Sequence, residues 1–307
     1  MAKITIIGAG NVGGLTAMRI AQENLGEVCL IDVVPGMAQG KSYDLADCRQ
    51  ILNVPYQIEG TEDIDRVKDS QVVVITAGLA RKPGMTREDL LTKNSQIIKA
   101  ICEKVKALAP DSIVIIVTNP LDAMTYYAGK ILGFDPRRVF GMGLTLDGSR
   151  FANLISCELN VPVTRIQPVV VGSHGEAMLP LPRLTMVGSF SLTEVIKDPS
   201  KIAKLVKGTV ERGKEIVALL GSGSAYFAPS AAIAQLVSAV IKDKRMPYGV
   251  SAQLNGEYGL NDICCGVPCV IGEQGIIKIV ELDLNSQEKK DFAESVEAIR
   301  NLNSLLK

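Results

Sequence analysis

At 307 residues, 47% of them hydrophobic, the chain is long enough to bury one large core or two moderate ones, which argues against global disorder. Lysine plus arginine equals aspartate plus glutamate at 33 each, so there is no basic surplus for a nucleic acid backbone or an anionic lipid surface. No apolar run approaches the roughly 20 residues of a membrane span, and no basic segment with a signal-type apolar stretch opens the sequence; the expectation is a cytoplasmic protein with no nucleic acid and no membrane partner.

The first half alternates short continuous apolar runs with longer amphipathic stretches, the pattern of buried parallel strands and their crossover helices. The runs lie at 4–7, 28–31, 72–76 and 113–117, with a weaker one at 139–140. Between the first two, Val12, Leu15, Met18 and Ala21 share one predicted helical face, and Gly26 is a candidate C-cap. That is a βαβ unit. Beyond about Asp147 the pattern loosens into a strand-like piece at 165–171 and helical stretches at 200–220 and 229–242, predicting a shift to α+β structure. Near the end, Asn285 with Glu288 three residues on forms a capping-box signature, and Phe292, Val296, Ile299 and Leu302 follow on one stripe. No repeat, low-complexity segment or flexible linker interrupts the chain.

Gly8, Gly10 and Gly13 form GxGxxG between the first strand and the first helix. In that setting the glycines serve a tight turn, close backbone approach to a pyrophosphate, and close helix packing, with Asn11 and Val12 opening the helix that faces the anion. Asp32 ends the second strand about 20 residues further on, where a carboxylate accepts hydrogen bonds from the adenine ribose hydroxyls. The same charge repels a 2′-phosphate, so NAD is favoured over NADP. Flavin and methyl-donor folds share this opening, and it does not choose a reaction.

Ligands of open parallel sheets sit beyond the carboxyl ends of the strands. The third run leads into a glycine-bracketed loop with three cations, Arg81, Lys82 and Arg87; the fourth leads through Val117 into Thr118-Asn119-Pro120-Leu121-Asp122. Asp147 and Arg150 follow the fifth, and Gly172-Ser173-His174-Gly175-Glu176 comes later with the only histidine of the chain. Seven cysteines, with no CxxC pair, read as buried reduced thiols, and with one histidine a structural zinc site is not expected; the predicted chemistry uses no metal.

These segments, ARKPGMTR at 80–87, TNPLD at 118–122, the Asp147/Arg150 pair, GSHGE at 172–176 and SAYFAPSAA at 224–232, resemble the lactate and malate dehydrogenase family in order and spacing over nearly the whole chain. The resemblance implies a Rossmann-type doubly wound parallel sheet at 1–145 that binds NAD, followed by an α+β substrate-binding domain at 146–307. It implies His174 as proton acceptor, a role suited to imidazole near neutral pH, with Asp147 fixing its tautomer. Arg150 then matches the residue that grips the substrate C1 carboxylate, and Arg87 the one that polarises the C2 carbonyl. Asn119 matches the group that bonds the substrate oxygen and seats the nicotinamide, while Asn94 and Val117 join the cofactor residues.

Arg81 matches the position that faces the far end of the substrate, where lactate enzymes of the family carry glutamine. A second carboxylate paired with Arg81 makes a charge-assisted hydrogen bond of about 1.5 to 3 kcal/mol, so the implied reaction is hydride transfer between L-malate and NAD⁺, giving oxaloacetate and NADH. A lactate or broader 2-hydroxyacid dehydrogenase is the alternative within the enzyme class, and a catalytically silent NAD-binding sensor the alternative outside it. The loop at 79–89 is expected to close over substrate. One stretch departs from the family pattern: GMGLTLDGSRF at 141–151 stands where related malate enzymes read closer to GMAGVLDSARF. Family members form dimers or tetramers through helices that include the one after Asp32, where Leu45 and Ile51 are apolar.

Overall fold

The computed structural model describes residues 1–79 and 87–306, with the side chain of Arg87 outside the description. The apolar runs become strands β1 (Lys3–Ile7), β2 (Glu27–Ile31), β4 (Val72–Ile75), β5 (Ile113–Ile116) and β6 (Val139–Gly141), joined by a further strand β3 (Ile58–Thr61). They pair in parallel in the order β3-β2-β1-β4-β5-β6, the doubly wound arrangement expected. The edge strand β3 escapes a search for apolar runs because all four of its residues are only half-buried.

The runs are continuous because both faces of the sheet are covered. Ile4, Ile6, Leu30, Val72, Val74 and Ile115 pack on one side with α1 (Asn11–Gln22) and α8 (Phe227–Ile241). Ile7, Ile31, Val73, Ile75, Val114 and Ile116 pack on the other with α3 (Arg87–Leu108) and α4 (Leu121–Leu132). Alternate residues of one strand thus serve different cores, as the period of two requires.

Two local expectations are corrected. In α1 the buried residues are Gly13, Thr16, Ala17, Ile20 and Ala21, whereas Val12, Leu15 and Met18 are only half-buried. The helix is wedged between the sheet and α8, and small side chains permit that approach better than the larger ones. Nor is Gly26 a helix cap: α1 ends at Gln22, and Gly26 lies where a Cβ would stand 2.3 Å from the Ala2 carbonyl oxygen.

The carboxyl-terminal half contains α5 (Leu144–Leu159), the short strands β7 (Ile166–Gln167), β8 (Val170–Gly172), β9 (Met178–Pro180), β10 (Met186–Val187) and β11 (Phe190–Ser191), a short helix α6 (Leu192–Val195) and the long α7 (Pro199–Leu220). After α8 come β12 (Met246–Asn255), β13 (Asn261–Gly272), β14 (Gly275–Ile279) and α9 (Ser286–Asn303). β12 pairs antiparallel with β6 through Ser251 and Gly141, and β13 and β8 continue the same sheet through Gly266 and Gly172. The mixture of antiparallel strands and helices matches the predicted α+β character. The capping box forms as expected: the Asn285 side chain accepts from the Glu288 amide, and Glu288 accepts from the Asn285 amide. Behind it Phe292, Val296 and Ile299 are buried, with Leu302 half-buried.

Among the described residues no helix is long and apolar enough to cross a membrane. The seven cysteines are all free, and Cys29, Cys102, Cys264, Cys265 and Cys269 are buried; burial pushes the thiols of Cys29 and Cys102 up to about 12.

Candidate active site

The glycine loop joins β1 to α1 at the carboxyl edge of the parallel sheet. Gly8 has φ +108°, and a Cβ on Gly13 would lie 1.8 Å from the Gly8 carbonyl oxygen, so no larger residue fits that packing. Gly10 differs: a Cβ there would meet no atom within 4 Å. Gly10 is also the N-cap of α1 and offers no side-chain acceptor to the first amides, while Asn11 is exposed and Val12 half-buried. Free amides at a helix start beside open space suit a pyrophosphate.

Asp32 stands just past the end of β2 with its carboxylate turned to the loop, accepting from the Ala9 amide at 2.6 Å and the Val34 amide at 2.9 Å. A carboxylate has about four acceptor sites, so two remain for ribose hydroxyls. Lys41 of α2 (Met37–Leu52) grips the same loop from the other side, donating to the carbonyls of Ala9 at 2.7 Å and Gly10 at 3.2 Å. The dinucleotide fits these groups: an anion at the helix start, diol acceptors at Asp32, and no Cβ in between.

Hydrogen bonds then run along the strand ends. Thr76 donates to the Gly8 carbonyl, and Thr118 to that of Ala77. Asn94 of α3 is fully buried; its oxygen accepts from the Leu79 amide at 2.8 Å and its amide donates to the Asn119 carbonyl at 2.7 Å. Its side chain therefore serves to hold the start of one loop against the next. Val117, just past β5, is half-buried against the core, and Asn119 is exposed ahead of a cis bond to Pro120.

Asp147 lies in the first turn of α5 with no exposed surface. Its two oxygens are divided: Oδ2 stands 2.7 Å from His174 Nδ1, and Oδ1 accepts from Arg150 Nη1 at 3.1 Å. A carboxylate is an acceptor, so Nδ1 carries the proton and Nε2 is left as the basic nitrogen. Burial disfavours the imidazolium, but the charge and hydrogen bond of Asp147, with the charge of Asp122 behind it, prevail and raise the His174 pKa above its ordinary value. Arg150 is 12% exposed, and its Nε is buried without a partner among the described residues. A part-buried guanidinium that bonds Asp147 through one terminal nitrogen is suited to an incoming carboxylate.

The departure from the family pattern at 141–151 leaves this arrangement intact. A Cβ on Gly143 would lie 2.5 Å from Leu121 Cδ2 and 3.1 Å from His174 Cβ, so the glycine permits the two elements to close together. Arg81, Lys82 and most of the 79–89 loop lie outside the described residues, as does the side chain of Arg87.

Residues 2–141 match the family described as lactate/malate dehydrogenase, NAD binding domain, and residues 144–304 match its alpha/beta C-terminal domain. The chain belongs to the lactate/malate dehydrogenase family. Among its relatives, a malate dehydrogenase from Methanosarcina barkeri is 47% identical over 306 residues, spanning 100% of this chain and 99% of that one. The crystal structure of Cryptosporidium parvum malate dehydrogenase superposes with TM-score 0.95 at 39% identity, covering 99% of this chain and 98% of the other. A lactate dehydrogenase from the same organism, complexed with lactic acid and nicotinamide adenine dinucleotide, superposes with TM-score 0.96 at 35% identity and covers 99% and 98%. The fold is shared by both activities, so substrate choice rests on side chains. As a member of this family the chain is an NAD-dependent oxidoreductase.

Sequence reasoning missed Lys41 and assigned no role to Asp122. Lys41 has no local signal, since only the fold carries α2 across the glycine loop. Asp122 had one: it stands three residues beyond Asn119 in a turn already singled out.

Proposed function

We propose that this protein is a cytoplasmic NAD-dependent L-malate dehydrogenase, interconverting L-malate and oxaloacetate. The observation that carries the reading is the Asp147 carboxylate shared between His174 at 2.7 Å and Arg150 at 3.1 Å. When bound, NAD⁺ supplies the hydride acceptor. His174 Nε2 takes the C2 hydroxyl proton, and Asp147 holds the tautomer and stabilises the imidazolium that forms. Arg150 orients the C1 carboxylate. Asn119 bonds the C2 oxygen and Arg87 polarises it in the reducing direction. Gly8, Gly10, Asn11, Val12, Gly13, Asp32, Asn94 and Val117 form the cofactor side of the cleft.

Malate is favoured over lactate by Arg81 and by full-length relatives that carry the malate name. The division between a cofactor unit at 1–145 and a substrate unit at 146–307 belongs to the same reading. So does assembly into homodimers or homotetramers: Ile51 on α2 is 81% exposed, although Leu45 packs against the chain's own core. The deciding assay follows NADH absorbance with oxaloacetate and with pyruvate, and repeats the better substrate with NADPH. Fast turnover with oxaloacetate and NADH alone is expected; a pyruvate preference overturns the substrate, and no turnover with either overturns the enzyme.

A further inference from the structure

Asp122 is a carboxylate the reaction does not use, yet it is 4% exposed and lies against the residue that does the proton transfer. It sits in the first turn of α4, two residues after Pro120. Oδ2 accepts from the backbone amide of His174 at 2.8 Å and from Ser173 Oγ at 3.3 Å, and Oδ1 accepts from Ser251 Oγ at 2.6 Å. Three elements distant in sequence, the Asn119 turn, the His174 loop and β12, thus meet on one anion. The loop has a second anchor, for the Ser173 amide donates to Ser295 Oγ at 2.8 Å. Asp122 accepts from the His174 amide and from both serine hydroxyls, so the anion is the form these neighbours complement. No lysine or arginine pairs with it among them.

We propose that Asp122 is a positioning residue for His174: it ties the imidazole's backbone to the turn that presents Asn119, and it places a second negative charge behind the ring. This rests on the reading of His174 as proton acceptor. Among the described residues, the groups that face the imidazole are Asp147 and Arg150 from α5 and Asp122 from α4. Behind Asp122, on β13, lie Cys264 and Cys265, both buried thiols whose pKa burial raises. Glu176, on the His174 loop, pairs with Lys214 at the surface. Burial raises the Asp122 carboxyl as well, while Ser251 and the His174 amide and ring hold that rise in check.

The chain has a single histidine, so one imidazole signal reports on His174 without any substrate. Untagged protein labelled with ¹³C at histidine Cε1 is titrated by NMR as wild type, Asp122→Asn and Asp122→Ala. The asparagine keeps an acceptor for the His174 amide and, by turning its NH₂ to Ser251 Oγ, a bond there too; only the charge goes. Its imidazole is expected to titrate about one pH unit lower than wild type, with the pH profile of malate oxidation shifted alike. Asp122→Ala releases the loop and is expected to lose about a hundredfold in kcat, with NADH affinity by fluorescence titration within about twofold of wild type. An unmoved imidazole titration in Asp122→Asn overturns the electrostatic role. A loss in Asp122→Ala that merely tracks the folded fraction or NADH binding overturns the positioning role. If wild type turned over no 2-hydroxyacid, the functional reading would fail while the imidazole titration still decided the charge of Asp122.

Discussion

Gly13 faces the carbonyl oxygen of Gly8 so closely that a Cβ on Gly13 would stand 1.8 Å away, while the same addition two residues past Gly8, at Gly10, meets nothing within 4 Å. The two glycines therefore answer to different demands. Gly13→Ala is expected to lower thermal stability, because the backbone of the loop must open to admit the methyl. Gly10 has φ −62°, which alanine adopts without strain, so Gly10→Ala is expected to melt with wild type but to bind NADH at least about tenfold more weakly. Calorimetry and fluorescence titration of both variants check this; equal effects of the two on melting would refute the division.

Replacing Asp147 with asparagine removes the acceptor that makes Nδ1 the protonated nitrogen. An amide in the corresponding role of a serine protease triad costs about 10⁴ in kcat through the wrong tautomer. A loss of about 10³- to 10⁴-fold is expected in both directions, with NADH affinity retained. Steady-state kinetics alongside cofactor titration read it out; retention of a tenth of wild-type kcat would remove Asp147 from the mechanism.

The raised pKa of His174 sets the pH dependence. Malate oxidation needs neutral imidazole, so its kcat/KM is expected to rise with pH through a value above the ordinary imidazole range. Oxaloacetate reduction needs the imidazolium and declines above the same value. The linkage to folding has a defined sign: a pKa raised in the folded state contributes stability that is complete below the ordinary imidazole value and is lost as pH rises through the raised one. Melting temperatures across that window, compared with Asp147→Asn, should show the variant losing this slope.

Arg150 is 12% exposed and bonds Asp147 on one side only. Arg150→Ala leaves the incoming carboxylate without its partner in a buried setting, a loss of about 3 to 5 kcal/mol. The expectation is a drop of roughly 10² to 4 × 10³ in kcat/KM, carried largely by KM, with NADH binding unchanged. Arg150→Lys restores a charge without the paired donors and should recover only part. A lysine variant equal to wild type would count against two-point recognition.

Arg81→Gln is expected to move the preference from oxaloacetate toward pyruvate, since the pairing it removes is worth about 1.5 to 3 kcal/mol, roughly ten- to a hundredfold. The ratio of kcat/KM values for the two substrates is the measurement. An unchanged ratio assigns the selection elsewhere.

What the sequence by itself determined was whatever is encoded within a few residues. Strands buried on both faces are apolar at nearly every position, so the runs of β1, β2, β4, β5 and β6 stand out; GxGxxG, the Asn285 capping box and the Asp147/Arg150 spacing are local in the same way. The residue types at His174 and Asp147 also limited the chemistry before any fold was known. The half-buried edge strand β3 and the true inner face of α1 stayed hidden, because each is set by what packs against it. Only the tertiary structure decided the partnerships across long separations: Lys41 over the loop at Ala9, Asn94 between Leu79 and Asn119, and Asp122 among Ser173, His174 and Ser251. The physical reason is that a hydrogen bond between residues 52 or 129 positions apart leaves no periodicity in the chain, and it exists only once the sheet has brought its strand ends to one edge.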